Sequence, residues 1–323
     1  MKRQNKQKKF SFFHNLINWT FTMALAIILG FQVLDASASN LKFAQVSDAH
    51  YSSIEANTSY KILKESPAVL DDVISQINSS SKTDFVLFTG DLVNQARKSQ
   101  LLEFIDKANT LKCPWYPLLG NHDVQEYVLT KDVFFDIMCE HNPNFNYTAP
   151  YYSFSPKKGF KVICLDTIIL DEMTANGRVS EEQLKWLDSE LKEAKDDVVI
   201  IGMHVPIIEP YPSEGHRLLN RMEVKTLLNK YKNPIIVCSG HYHGSKIKQE
   251  NNILYIDSPS LVTFPCAFRY INICTQRHKV IIDVYTKQTR LEKVLNTAKI
   301  KVMGASFLFG TPEDRDNTFI IKR

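Results

Sequence analysis

The sequence predicts an α/β domain built on two β-sheets, and three observations carry that reading. From residue 41 onward short apolar runs alternate with longer amphipathic stretches, the alternation of strand and helix that marks α/β domains. Histidines gather just past the ends of the apolar runs, where α/β folds place ligands. From residue 247 onward four short apolar runs follow one another with only turns between them, which reads as consecutive antiparallel strands closing a second sheet.

The elements follow in order. Residues 41–47 read as a strand, and 67–78 carry Val69, Leu70, Val73, Ile74 and Ile77 at helical spacing. Residues 84–89, with Phe-Val-Leu-Phe at the centre, form a buried strand. A helix over 99–111, a strand over 115–119 and a helix over 131–139 come next. Residues 151–154 and 161–165 make a hairpin around Lys157-Lys158-Gly159. Ser180 caps the following helix, with Gln183 three residues on completing a capping box and Leu184, Leu187 and Leu191 as the buried stripe. A strand over 198–201, a helix over 218–231 and a strand over 235–237 precede the four late strands at 247–250, 253–256, 270–274 and 280–285. A helix over 291–299 and a polar tail finish the chain. No repeat and no Pro/Gly/Ser-rich linker interrupts this pattern, so residues 39–323 read as one domain.

Composition removes several classes. The 323 residues are 44% hydrophobic and 23% charged, with 11 Gly and 13 Pro, which excludes collagen, disorder and low complexity. Six cysteines, none at a two-residue gap, exclude a zinc knuckle or a thioredoxin-like site. The net charge of +4 resides in the leader: residues 1–38 hold Lys2, Arg3, Lys6, Lys8 and Lys9 against Asp35, and the remainder balances. A neutral body gives no global field for nucleic acid, so no nucleic-acid partner is expected.

That basic start precedes an apolar run over 19–34 and then Ala36-Ser37-Ala38, small residues where a signal peptidase requires them. Residues 1–38 read as a secretory signal cut after Ala38. An uncleaved membrane anchor is the alternative, because 15–34 is an uncharged stretch about as long as a bilayer span needs. Either way the body is expected outside the cytoplasm, periplasmic or extracellular, with any membrane contact through this segment alone.

The chemistry gathers at five strand ends: Asp48-Ala49-His50, Gly90-Asp91, Gly120-Asn121-His122-Asp123, His204 within Gly-Met-His-Val-Pro, and Gly240-His241-Tyr242-His243. Singly, Asp-x-His or Gly-Asp is an ordinary turn, and a lone histidine is more often structural. Gly-Asn-His-Asp is rarer, arising by chance about once in 10⁵ positions. Coincidence at all five ends together is the less economical reading. Residues two apart, such as Asp48 with His50 and His241 with His243, project to one side of an extended segment. Imidazoles with carboxylates suit manganese, iron or zinc rather than calcium, and Asn121 adds a neutral oxygen. A carboxylate shared by two such ions makes a clamp for phosphate and acidifies a bridging water, which is hydrolytic chemistry on phosphate esters.

These motifs, in this order over residues 41–285, resemble those of the calcineurin-like metallophosphoesterases: Asp-x-His, Gly-Asp, Gly-Asn-His-Asp/Glu, His, Gly-His-x-His. The resemblance implies an α/β fold of two packed mixed β-sheets flanked by helices, four layers in all. It implies two divalent or trivalent ions, with Asp48, His50, Asp91 and His243 around one, Asp91, Asn121, His204 and His241 around the other, and a metal-bridging hydroxide between them. It implies that His122 binds no metal and instead protonates the leaving oxygen or stabilises the transition state, paired with Asp123.

Departures narrow the branch. Purple acid phosphatases have Tyr where Asn94 stands, protein Ser/Thr phosphatases have Arg where Gln95 stands, and lipid A precursor hydrolases have Arg where His122 stands. Too little chain follows His243 for the large second domain of periplasmic 5′-nucleotidases. The chain is most similar to the class III cyclic-nucleotide phosphodiesterase and glycerophosphodiesterase group, which implies a small-molecule phosphate ester as substrate. A cyclic-nucleotide phosphodiesterase proper, a nuclease of the superfamily and a non-catalytic scaffold are the alternatives. Loops at 51–66, 140–150, 206–216 and 263–269 are candidates for specificity, with Tyr51, Tyr147, Tyr211 and Phe264 as possible stacking partners and His216 and Arg269 as possible phosphate contacts.

Overall fold

The computed structural model describes residues 39–80, 82–302 and 305–323, so the leader segment lies outside the described residues. Twelve strands among these residues form two six-stranded sheets. In the first, β1 (Asn40–Val46), β2 (Phe85–Phe88) and β3 (Trp115–Pro117) run parallel. Antiparallel strands β10 (Ala267–Thr275), β11 (Lys279–Gln288) and β12 (Asn317–Lys322) extend it beyond β1. In the second, β5 (Phe160–Cys164), β6 (Val198–Gly202), β7 (Ile235–Ser239) and β9 (Ile253–Asp257) are parallel. Antiparallel β4 (Tyr152–Phe154) and β8 (Lys246–Glu250) close its two edges.

Continuous apolar runs became central strands because both their faces are covered. Every residue of β2, β6, β7 and β9 is buried. The two sheets meet face to face: a Cβ at Gly202 on β6 would sit 3.1 Å from Leu118 and 3.2 Å from Leu87 of the first sheet. Helices take the outer faces. Helix α1 (Ser66–Ser79) and α2 (Lys98–Ala108) cover the first sheet, where Phe104 meets Phe88 and Trp115 edge to face at 5.2 and 6.1 Å. Aromatic pairs of this kind add about 0.5–1.5 kcal/mol each beyond their area. Helix α3 (Lys131–His141) follows β3, and Asn142 at its end donates to Trp115 O. Helices α4 (Glu181–Glu193) and α5 (Arg221–Leu228) flank the second sheet, tied to it by the Lys161–Glu190 and Lys225–Glu250 ion pairs. A last helix, α6 (Glu292–Lys301), precedes a short 3-10 segment at Ala305–Phe309.

Four local expectations change. The late strands do not form one antiparallel sheet: β9 inserts parallel to β7, and the chain then crosses to the first sheet, where β10 pairs with β1. All five residues of β9 are buried, as suits a strand seated inside the second sheet between β7 and β8. The polar tail holds β12, paired antiparallel to β11. Helix α5 begins at Arg221 rather than 218, because Leu218 bridges to Gly177 and Asn220 ties to the Val179 backbone. The capping box is half formed. Ser180 Oγ accepts from Gln183 N at 3.1 Å, but the Gln183 amide turns instead to both backbone groups of Asp166, pinning the end of β5.

Candidate metal centre

The site lies at the C-terminal ends of the parallel strands, where β1, β2, β3, β6 and β7 all release their loops. Backbone there is strained. Asp48, His50, Asp91, His241 and His243 all have φ between +39° and +71°, the left-handed region that costs a residue with a Cβ about 1–3 kcal/mol. Five such residues at one spot persist because neighbouring contacts hold them. Asp48 N donates to Gly90 O, His50 N to Asp91 O, and His241 N to both carboxylate oxygens of Asp48. Glycine is obligatory where the loops touch: a Cβ at Gly120 would lie 2.1 Å from Asp91 N, and one at Gly240 only 1.8 Å from Ser47 Oγ.

Two groups of ligand atoms result, each drawn together within 4.8 Å: Asp48, His50, Asp91 and His243, and Asp91, His204 and His241. The second nitrogen of several rings is already spent. His204 Nδ1 donates to Thr89 O at 2.8 Å, so in the neutral ring, the form a metal binds, Nε2 is the lone pair. That lone pair faces Asp91 Oδ2 at 3.5 Å, Asn121 Oδ1 at 3.3 Å and His241 Nδ1 at 3.2 Å. His243 Nδ1 meets Thr263 Oγ1 at 2.9 Å, leaving its Nε2 3.0 Å from His50 Nε2 and 3.5 Å from Asp48 Oδ1. Acceptors converging on one point require a cation or a proton between them. Two adjoining points of this kind, sharing Asp91, fit a pair of metal ions, and the nitrogen and oxygen donors suit manganese, iron or zinc. All seven metal ligands expected from sequence are therefore brought together.

Electrostatics agree with that reading. Burial pushes His50 and His241 well below the ordinary imidazole range, the first helped by Lys61 and the second by His204, so both are in the neutral form a metal needs. For His204 burial works the same way, but the Asp91 carboxylate outweighs it and lifts the ring to about 9. A positive charge between these two groups is strongly favoured. Asp91 itself is held well below the carboxylate range, burial being overcome by His204, His122 and His50.

One expected pairing is corrected. Asp123 does not touch His122: its two oxygens accept from Val93 N at 3.0 Å and Gly120 N at 2.8 Å, so it clasps two site loops together. Burial, with Asp91 adding to it, pushes this carboxyl up to about 8. His122 is oriented by a carbonyl instead, its Nδ1 donating to Asn94 O at 2.7 Å. Its Nε2 is turned to the cavity side, 3.4 Å from Lys61 Nζ.

The cavity above the centre has a volume of about 350 Å³, with Asp91, Asn121, His122, His241 and His243 at its floor. Tyr60, Tyr211 and Tyr242 stand in its walls, and Val302 and Leu308 close it from the C-terminal segment. Of the residues read as specificity candidates, Tyr211 and His216 line it. The others do not. Tyr51 is buried and donates to Glu103, Tyr147 stacks on Tyr152, and Phe264 packs edge on against Phe309. Arg269 is fully buried and donates to the carbonyls of Asp257, Asp314 and Arg315. Sequence reasoning missed Lys61, Tyr60 and Tyr242. Tyr242 had a signal in its place between two ligands, whereas Lys61 and Tyr60 lie in a loop with no motif.

Comparison with known proteins follows the same line. Residues 41–245 match the family described as calcineurin-like phosphoesterase. A probable glycerophosphodiester phosphodiesterase of Arcobacter nitrofigilis is 26% identical over 219 residues, 67% of this chain and 77% of that protein. A probable cyclic nucleotide phosphodiesterase of Colwellia psychrerythraea is 27% identical over 215 residues, 63% of this chain and 72% of that one. Among solved structures, a dimetal phosphatase from Danio rerio superposes with a TM-score of 0.60 at 16% identity, covering 77% of this chain and 99% of that one, a likeness of fold.

Proposed function

Starting from the calcineurin-like phosphoesterase family, to which the chain belongs, we infer that this metal-dependent phosphoric ester hydrolase cleaves small phosphodiesters at a two-ion centre and works outside the cytoplasm. The observation that carries the reading is the convergence of ligand atoms on two adjoining points that share Asp91 at the floor of the cavity. Asp48, His50, Asp91 and His243 would hold one ion, and Asp91, Asn121, His204 and His241 the other. When bound, the ions supply Lewis acidity toward the phosphoryl group and acidify the attacking water. The chain's own residues do the rest. Asp91 sets the spacing of the two points, and Asp48 fixes the His241 loop through its backbone N–H. Asn94 O keeps one proton on His122 Nδ1, so Nε2 is the atom that would take up a second proton and, as the imidazolium, give it to the leaving oxygen. The tyrosine walls exclude water and leave room for an alcohol or nucleoside of modest size.

Diester preference is supported by the two relatives named as phosphodiesterases, and export by the basic start, the apolar run and Ala36-Ser37-Ala38. Among the described residues no helix is long and apolar enough to cross a membrane. A panel of glycerophosphodiesters, cyclic AMP, alkyl phosphomonoesters and nitrophenyl esters with Mn²⁺ tests the substrate. Diesters are expected to turn over fastest, and activity confined to monoesters would refute the preference. Mass spectrometry of native protein is expected to find Ser39 at the N-terminus, and an intact Met1 on cytosolic protein would defeat export.

A further inference from the structure

We propose that Lys61 is an anion-binding residue of the cavity, placed to donate to a non-bridging oxygen of the substrate's phosphoryl group. The proposal deepens the phosphoesterase reading and rests on it. Lys61 is 3% exposed yet lines the cavity, its Nζ lying between two histidines of the site, 3.2 Å from His50 Nδ1 and 3.4 Å from His122 Nε2. Its backbone is fixed on both sides. Lys61 N donates to Thr58 Oγ1 at 2.9 Å, and Ile62 N to Val262 O at 2.8 Å.

A buried ammonium is normally met by a carboxylate, but among the described residues no carboxylate oxygen comes within 4.0 Å of Nζ. Its three donors meet only nitrogen and amide partners. Asn94 Oδ1 lies 3.4 Å away, held toward Lys61 because the same amide donates its N–H to Glu55. His50 is a poor acceptor here, since a ring that ligates through Nε2 carries its proton on Nδ1 and presents a donor to a donor. With two divalent cations seated, Asp48 and Asp91 are more than neutralised and offer Lys61 no counter-charge. Glu55, the third carboxylate near Lys61, is bonded to Asn94 and does not reach Nζ, so the partner missing at contact distance is an anion in the cavity. Lys61 and His122 line the cavity side by side, so a phosphoryl group bound at its floor would present an oxygen to Nζ.

The test uses Mn²⁺-loaded wild type and Lys61→Met, with Lys61→Gln as a second variant should the first not fold. Titration calorimetry measures orthophosphate, mostly a dianion at pH 8, and dimethyl phosphate, a monoanion, while elemental analysis measures manganese. Loss of one charge-assisted hydrogen bond corresponds to an increase in Kd of about 10- to 100-fold for orthophosphate. The increase is expected to be several-fold smaller for dimethyl phosphate, with two manganese ions per chain retained. An unchanged orthophosphate Kd overturns the proposal. Equal losses for the two anions overturn it as well, and so does loss of manganese, which would make Lys61 a support for His50. If loaded wild type neither binds orthophosphate nor hydrolyses any ester, the phosphoesterase reading itself fails.

Discussion

Arg269 offers a sharp contrast between the two readings of a basic residue near a phosphate site. It sits on β10 of the first sheet, fully buried, and makes five hydrogen bonds: two to Asp257 O at 2.9 and 3.2 Å, and one each to Asp314 O, Arg315 O and Thr286 Oγ1. Asp257 ends β9 of the second sheet, Thr286 lies on β11, and Asp314 and Arg315 belong to the C-terminal segment, so one guanidinium ties both sheets to the tail. Burial lowers it to about 10, which still leaves it charged at neutral pH. In Arg269→Met four acceptor groups each lose a donor, Arg315 O keeping another in the Thr286 hydroxyl. The separate bonds, at roughly 1.5–3 kcal/mol each, would overstate the cost because the freed carbonyls rehydrate in part. Removing one member of a buried charged network costs about 3–5 kcal/mol, which at roughly 2.1 cal/mol/K of unfolding entropy per residue lowers Tm of a domain of this size by about 5–8 °C. Differential scanning calorimetry of metal-saturated wild type and variant measures this, and KM for the best ester is measured below the melting range. The variant is expected to melt early with KM within about two-fold of wild type. A Tm within about 2 °C of wild type together with a raised KM would refute the structural assignment and return Arg269 to the phosphate.

Asp91→Asn removes the carboxylate that both ligand groups share, and elemental analysis is expected to find at most one metal per chain; two retained metals would show that Asp91 does not bridge. His122→Ala is expected to slow an alkyl diester by about 10²–10⁴ and bis-nitrophenyl phosphate far less, because nitrophenolate leaves without a proton. Proportional losses on both substrates at unchanged metal content would leave His122 an electrostatic stabiliser. Asp257, pushed up to about 8 by burial, keeps its proton in the native state over a range where the unfolded chain, with a carboxyl near 3.8, has lost it. Its contribution to stability is complete below pH 3.8 and is lost as pH rises through about 8, so Asp257→Asn is expected to gain on wild type in urea between pH 5 and pH 8.5. Parallel pH dependences in the two proteins would contradict this.

Most of the strand and helix order and the identity of the side chains that converge were legible because each is a local property. The apolar runs around Phe85–Phe88 and Val198–Gly202 can only be buried strands, and a loop leaving such a strand with Asp-x-His or Gly-His-x-His can only project those side chains past its C-terminal end. Sequence by itself therefore determined the class of fold, the seven residues that meet and the chemistry they share. Partner choice across the chain was decided by tertiary structure. Periodicity says that β9 is buried but not that its neighbour is β7, and it cannot say that β10 crosses back to β1, since pairing depends on which distant surface is left to cover. The same limit governs single side chains. Asp123 and His122 are adjacent in sequence yet turn to different partners, Val93 and Gly120 for one and Asn94 for the other. Arg269 and Lys61 look alike as cations in loops or at strand edges. One is consumed by carbonyls of two segments and a hydroxyl of a third, the other is aimed at the cavity, and only packing, which sets the donors and acceptors within about 3 Å of each charge, separates them.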